Sequence, residues 1–125
     1  MRIITKMLFD EQDLEYRDFN SKLIPNIDKD RIIGVRVPIL RKIAKDIYND
    51  EYIDKFLCEL PHKYHEENVL QGIILTLKYK DIDVLLNKLD LFLSYIDNWA
   101  VTDIISPKLF RKYPDKVYDI RLDLE

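Results

Sequence analysis

Glycine is almost absent from this chain, which contains only Gly34 and Gly72 in 125 residues. Folds rich in β-structure place many glycines in their tight turns, so a chain this poor in glycine favours helices. Its length and its 47% of hydrophobic residues are sufficient to bury the core of one globular domain. The composition therefore predicts a single all-α domain.

The apolar residues recur at helical spacing between breaks marked by proline. This periodicity predicts helical segments over 2–24 (in two pieces), 37–48, 50–60, 64–79, 82–96 and 97–105, with shorter segments over 107–112 and 114–125. Paired helices of this length, with proline at the pair boundaries, are typical of stacked α-hairpin repeats. No exact sequence repeat is present, so we expect a superhelix of divergent HEAT-like pairs, an α-α solenoid, with a compact helical bundle as the alternative.

Charge, cysteine content and hydropathy narrow the class of protein. The net charge of −3 argues against a uniformly basic protein but not against a local basic patch. The single cysteine, Cys58, cannot form an internal disulfide, so we expect the protein to be located in the reducing cytoplasm. Cys58 lies in an apolar helical setting, so we expect it to be a small core residue. No apolar run approaches the roughly 18 residues of a membrane span, so no membrane association is expected.

Basic residues form two clusters. The first has no acid among its five bases, and the second has one acid, Asp115, among four bases. A charge run of this kind is either a solvated helix face or a set of phosphate contacts, because cations that neutralise phosphates release counterions and drive binding to nucleic acid. The clusters are Arg31, Arg36, Arg41, Lys42 and Lys45, and Lys108, Arg111, Lys112 and Lys116.

The only tryptophan, Trp99, lies one helical turn before Asp103. At about 100° per residue, these two side chains fall on one side of a short helix, opposite its apolar residues Val101, Ile104 and Ile105. One interpretation is a second packing surface with a solvated acid. The other is a site in which an aromatic face and an anion are directed at a cation.

Two histidines, His62 and His65, stand three residues apart beside Glu66 and Glu67. The spacing could begin a metal site, but no clear third and fourth ligand follows, so we expect no metal. The two acids at the start of a helix are expected to act mainly through the helix dipole.

Two segments together resemble a known family. Residues 34–45 contain the pattern G-V-x-x-P-x-L-R-x-x-A-K, and residues 99–103 contain W-x-x-x-D, with a helix from Tyr64 through Gly72 between them. These motifs, in this order over most of the chain, resemble the AlkD-like DNA alkylation repair family. The resemblance implies a HEAT-like superhelix whose concave basic face holds double-stranded DNA.

The better-known members of that family are glycosylases that excise cationic N3- and N7-alkylated purines without flipping the base. By resemblance, Asp103 would stabilise the oxocarbenium-like sugar and orient the attacking water, and Trp99 would lie against the lesion nucleoside. Because an alkylated purine is already a cationic leaving group, the resemblance implies that no strong general acid is needed to expel it, and we expect no cofactor. Phosphate contacts are expected from Arg36, Arg41, Lys42, Lys45, Lys108, Arg111 and Lys112.

The chain also departs from the family pattern. The family's site uses an arginine and a second aromatic residue from later repeats, which would lie beyond Glu125. A tyrosine near the family's N-terminus has no clear counterpart here, the nearest candidates being Phe19 and Leu23. We therefore expect residues 1–125 to form one truncated domain without the C-terminal repeats. The alternative functions are a non-catalytic HEAT-like module that binds DNA or protein, and self-association through the open C-terminal edge.

Overall fold

The computed structural model describes residues 3–60 and 62–95 of the chain, and these residues form only helices and their connections. The helices are α1 (Ile3–Asp10), α2 (Leu14–Leu23), α3 (Val37–Ile47), α4 (Ile53–Cys58), α5 (His65–Lys78) and α6 (Ile82–Leu93), with a 3₁₀ turn at Lys29–Arg31. The all-α prediction is confirmed over this part of the chain.

Local sequence signals explain where several helices begin. Asp13 caps α2, since its side chain accepts a hydrogen bond from the Tyr16 backbone N–H at 3.1 Å. Asp81 caps α6 in the same way, accepting from the backbone N–H groups of Asp83 and Val84. Helix α3 has Pro38 in its first turn, where the missing N–H of proline costs nothing.

Helix α5 forms the centre of the described core. Every residue from His65 to Leu75 is buried, and α5 packs against both α3 and α6. Leu70 and Ile74 of α5 are fully enclosed, and Ala44 of α3 and Phe92 of α6 lie in the same apolar cluster. Helix α5 therefore joins α3, two helices earlier in the chain, to α6, which directly follows it, in a solenoid-like arrangement of helices.

The structure corrects two details of the sequence interpretation. Cys58 is exposed rather than part of the core, because Ile53 and Phe56 occupy the inward positions of α4 and Cys58 lies about 140° around the helix from Ile53. The second correction concerns length, because the helix predicted over 50–60 extends only over Ile53–Cys58, six residues. Among residues 3–60 and 62–95, none of the helices has both the length and the apolar character needed to cross a membrane.

Candidate nucleic-acid interface

Helix α3 separates its apolar and basic residues onto opposite faces. Leu40, Ile43, Ala44 and Ile47 are buried, whereas the cations are exposed. At about 100° per residue, these cations fall within an arc of about 100° on the solvent side. We call this surface the basic face of α3, consisting of Arg41, Lys42 and Lys45.

Arg36 lies at the N-terminal end of the same helix, in the N-cap position. Its guanidinium carbon is 4.8 Å from the centre of the Tyr16 ring, and its Nη2 atom is 3.3 Å from Oδ2 of Asp13. The side chains of Arg36 and Asp13 are both exposed, so the ion pair alone contributes little to stability. The two contacts nevertheless give the guanidinium a defined position at the surface.

The Asp13 carboxylate is set up to remain ionised. The backbone N–H of Tyr16 donates to it and lowers the pKa of Asp13, and the Arg36 guanidinium lowers that pKa further. Burial raises the pKa of Tyr16, whose ring supports Arg36. At neutral pH, Arg36 is therefore flanked by a carboxylate and an uncharged phenol.

The loop before α3 is held by a buried carboxylate on α5. Glu66 is only 1% exposed, and its oxygens accept hydrogen bonds from the backbone N–H groups of Ile33 at 2.9 Å, Gly34 at 2.8 Å and Val35 at 3.2 Å. These three donors compensate the loss of hydration that burial imposes on the carboxylate. From the sequence, Glu66 was expected to act mainly through the helix dipole. In the structure, its main role is to hold the backbone of residues 33–35.

Gly34 allows the loop to lie directly against α2. Its φ is +95°, in the left-handed region that glycine adopts at little cost. A Cβ atom at this position would lie 2.6 Å from both Cβ of Arg17 and the carbonyl oxygen of Asp13. The Gly34 carbonyl also accepts from the Asp13 N–H at 2.8 Å, so the loop joins the N-terminal ends of α2, α3 and α5.

Glu67 is a second buried carboxylate, but it has different partners. It is fully enclosed and accepts hydrogen bonds from the Thr5 hydroxyl at 2.9 Å and from the Tyr64 backbone N–H at 3.2 Å. The first contact joins α5 to α1. The second is a capping hydrogen bond between the N-cap residue of α5 and its first turn. Glu67 therefore stabilises the packing of α5 on α1 and the start of α5, whereas the backbone N–H groups of residues 33–35 donate to Glu66.

The two histidines are buried in the same region. The His62 ring stacks on Phe56 with ring centres 4.2 Å apart, and its Nε2 lies 2.5 Å from Oε1 of Gln71. Burial lowers the pKa of His65, an effect that the charge of Glu66 opposes and that of Arg31 reinforces. In the part of the chain that the structure describes, no group of three or more His, Cys, Asp or Glu side chains is arranged to hold a metal ion.

Five of the predicted site residues, Trp99, Asp103, Lys108, Arg111 and Lys112, lie outside the described residues, and their roles remain predictions. The four basic residues at and along α3 are exposed, as a phosphate contact requires. Phe19 and Leu23 are also exposed, on α2.

Sequence reasoning missed Glu66, although a signal for its burial was present. Glu66 precedes Val69, Leu70 and Ile73 by three, four and seven residues, which places it on the apolar face of α5. An acid at such a position must find donors within the protein.

These features define an all-α protein built from stacked helices, with a basic helix face exposed beside a tightly held loop. A family model described as DNA alkylation repair enzyme matches residues 4–124. The chain therefore belongs to the DNA alkylation repair enzyme family, which confirms the resemblance seen in the sequence. No curated protein and no solved structure matched the chain.

Proposed function

We propose that this protein binds double-stranded DNA and excises cationic N3- and N7-alkylated purines from it by hydrolysing the N-glycosyl bond, without flipping the base. The observation that carries the proposal is the basic face of α3, in a chain that belongs to a DNA alkylation repair family. A solvated helix face remains the competing interpretation of those charges, and DNA affinity distinguishes the two.

Binding would rest mainly on phosphate contacts. Arg41, Lys42 and Lys45 point away from the core on one side of α3, with Arg36 at the helix end. Each cation that neutralises a phosphate releases a condensed counterion, so affinity should fall steeply with salt. We propose Lys108, Arg111 and Lys112 as further contacts of the same kind.

Excision would use Asp103 and Trp99. When the C1′–N bond breaks, its electron pair passes to the purine, which leaves uncharged because alkylation had made it cationic. The sugar is left with oxocarbenium character, which the Asp103 carboxylate stabilises while it orients a water molecule. The water oxygen bonds to C1′ and its proton is lost to solvent. The Trp99 face attracts the cationic base by about 0.5–2 kcal/mol.

A salt titration of duplex affinity tests the binding step. Labelled duplex DNA, methylated or unmodified, is titrated with the full chain at several salt concentrations and followed by fluorescence anisotropy. Affinity that falls linearly on a log–log scale supports phosphate contact. Negligible affinity at low salt would overturn the nucleic-acid proposal, whereas binding without base release would favour the non-catalytic alternative.

Two exposed apolar residues on one side of α6 support self-association as a second proposal. Val84 and Leu91 are 42% and 59% exposed and stand two turns apart on one side of the helix, followed by Tyr95 at 48% exposure. Light scattering tests this proposal: a dimer that Leu91→Glu dissociates supports it, and a monomer at all concentrations contradicts it.

A further inference from the structure

The excision chemistry proposed above makes no use of Glu66, the buried acid that holds the loop before α3. At 1% exposure, its carboxylate is enclosed within the protein. It therefore acts on any ligand only through the groups that it holds. Those groups are three consecutive backbone N–H donors, Ile33, Gly34 and Val35, on a segment 31 to 33 residues earlier in the chain.

The residue that directly follows those donors is Arg36. Its backbone is extended, with φ −69° and ψ 146°, so its position is set by the conformation of the loop immediately before it. The following residues, from Val37, are fixed by α3 itself. Glu66 thus holds the backbone N–H groups of the segment that leads into Arg36, while Gln12 and Asp13 donate to the carbonyls of Ile33 and Gly34 in the same segment.

The same loop also positions the side-chain partner of Arg36. The Gly34 carbonyl accepts from the Asp13 backbone N–H at 2.8 Å, and the Asp13 carboxylate lies 3.3 Å from the Arg36 guanidinium. Tyr16, whose ring lies beneath the guanidinium, is in the first turn of the helix that Asp13 caps. A shift of residues 33–35 would displace Arg36 and both of its supports.

We propose that Glu66 is a positioning residue for DNA binding, which fixes the Gly34 loop so that Arg36 is presented to a phosphate beside the basic face of α3. This inference rests on the proposed DNA binding. A preorganised guanidinium loses less conformational freedom on binding than a mobile one. Glu66 would therefore raise affinity without touching the nucleic acid.

A double-mutant cycle on the full chain tests the inference. Duplex affinity is measured at low salt for the wild type, Glu66→Gln, Arg36→Gln and the double variant. If Glu66 acts through Arg36, Glu66→Gln weakens binding by about tenfold in the wild-type background and by less than about twofold once Arg36 is absent. An equal loss in both backgrounds would overturn the proposal.

Glu67→Gln is the matched control, because it removes a buried carboxylate one residue away, whereas the backbone N–H groups of residues 33–35 donate to Glu66. It should lower the melting temperature but leave the affinity of the folded protein within about twofold of the wild type. A loss of affinity equal to that of Glu66→Gln would show a general effect of destabilisation and contradict the positioning role.

If Glu66→Gln does not fold, the cycle is run with Glu66→Asp, which keeps the charge but withdraws it from the loop by one methylene. The same non-additivity with Arg36→Gln is expected, and additivity again contradicts the proposal. A wild-type chain that binds no duplex overturns the proposed function, and the inference falls with it. A wild-type chain that binds, with additive variants, overturns the inference alone.

Discussion

The carboxylate of Glu66 accepts a hydrogen bond from the backbone N–H of Gly34 at 2.8 Å, across 32 residues of sequence. Gly34 stands at the start of the G-V-x-x-P motif, and Glu66 lies in the first turn of α5. The contact shows that two of the segments that carry the family resemblance form one structural unit. The conformation of the loop before α3 therefore depends on a side chain of α5.

Replacing Glu66 by glutamine should destabilise the protein by about 2–4 kcal/mol. The amide offers only one acceptor oxygen to the three N–H donors, and its NH2 group would face at least one of them. Chemical denaturation of Glu66→Gln provides the measurement. Glu51→Gln, at an exposed position, serves as the control and should change stability by less than about 0.5 kcal/mol. Equal effects of the two variants would contradict the structural role of Glu66.

Gly34→Ala should cost at least about 2 kcal/mol of stability. An alanine would be strained at φ +95°, and its Cβ would lie 2.6 Å from the Asp13 carbonyl oxygen, a backbone atom that cannot easily move away. Denaturation midpoints of the variant and the wild type measure the effect. A variant as stable as the wild type would show that the loop does not adopt this conformation.

Charge reversal at Lys42 should weaken duplex binding by about tenfold at low salt and reduce the salt slope by about one. The reason is the loss of one phosphate contact and the addition of a repulsive charge on the basic face of α3. Lys6→Glu is the matched control, since Lys6 is exposed on α1 and its reversal changes the net charge by the same amount. If both variants lose the same affinity, binding depends on net charge alone.

Stability should decrease as the pH is lowered below the ordinary histidine pKa of 6.5. Burial lowers the pKa of His65 in the folded state, despite the opposing charge of Glu66. The unfolded chain therefore takes up a proton at a higher pH than the folded one, and acid favours unfolding. Melting temperatures of the wild type and His65→Gln, taken between about pH 7.5 and pH 5.5, test this effect. The variant should show the weaker pH dependence, and equal slopes would exclude His65 as the source.

Much of the fold could be predicted from the sequence because its signals are local. Asp81 and Pro38 mark helix starts by their own chemistry, and the alternation of apolar and basic residues in α3 directly gives its buried and exposed faces. The family followed from short motifs in a fixed order. These features need no knowledge of which helices meet.

The contacts that hold the loop before α3 and Arg36 in place could not be predicted from local signals. The contact between Glu66 and the 33–35 loop depends on how α5 packs beside α3, and helical spacing alone showed only that Glu66 faces inward. Arg36 contacts Asp13, which caps α2, and Tyr16, which lies in α2. These contacts therefore also depend on how separate helices pack. Cys58 was assigned to the core for a related reason, since α4 is too short for its apolar pattern to define one face.

The proposed excision of alkylated purines can be measured as the release of free base from DNA. A duplex containing 7-methylguanine is incubated with the full chain, and free base is quantified by chromatography, with Asp103→Asn as the comparison. We expect release by the wild type and at least about a hundredfold less by Asp103→Asn, because the variant lacks the carboxylate proposed to stabilise the oxocarbenium-like sugar. No release by a folded wild-type chain would overturn the proposed excision, and undiminished release by Asp103→Asn would overturn the role proposed for Asp103.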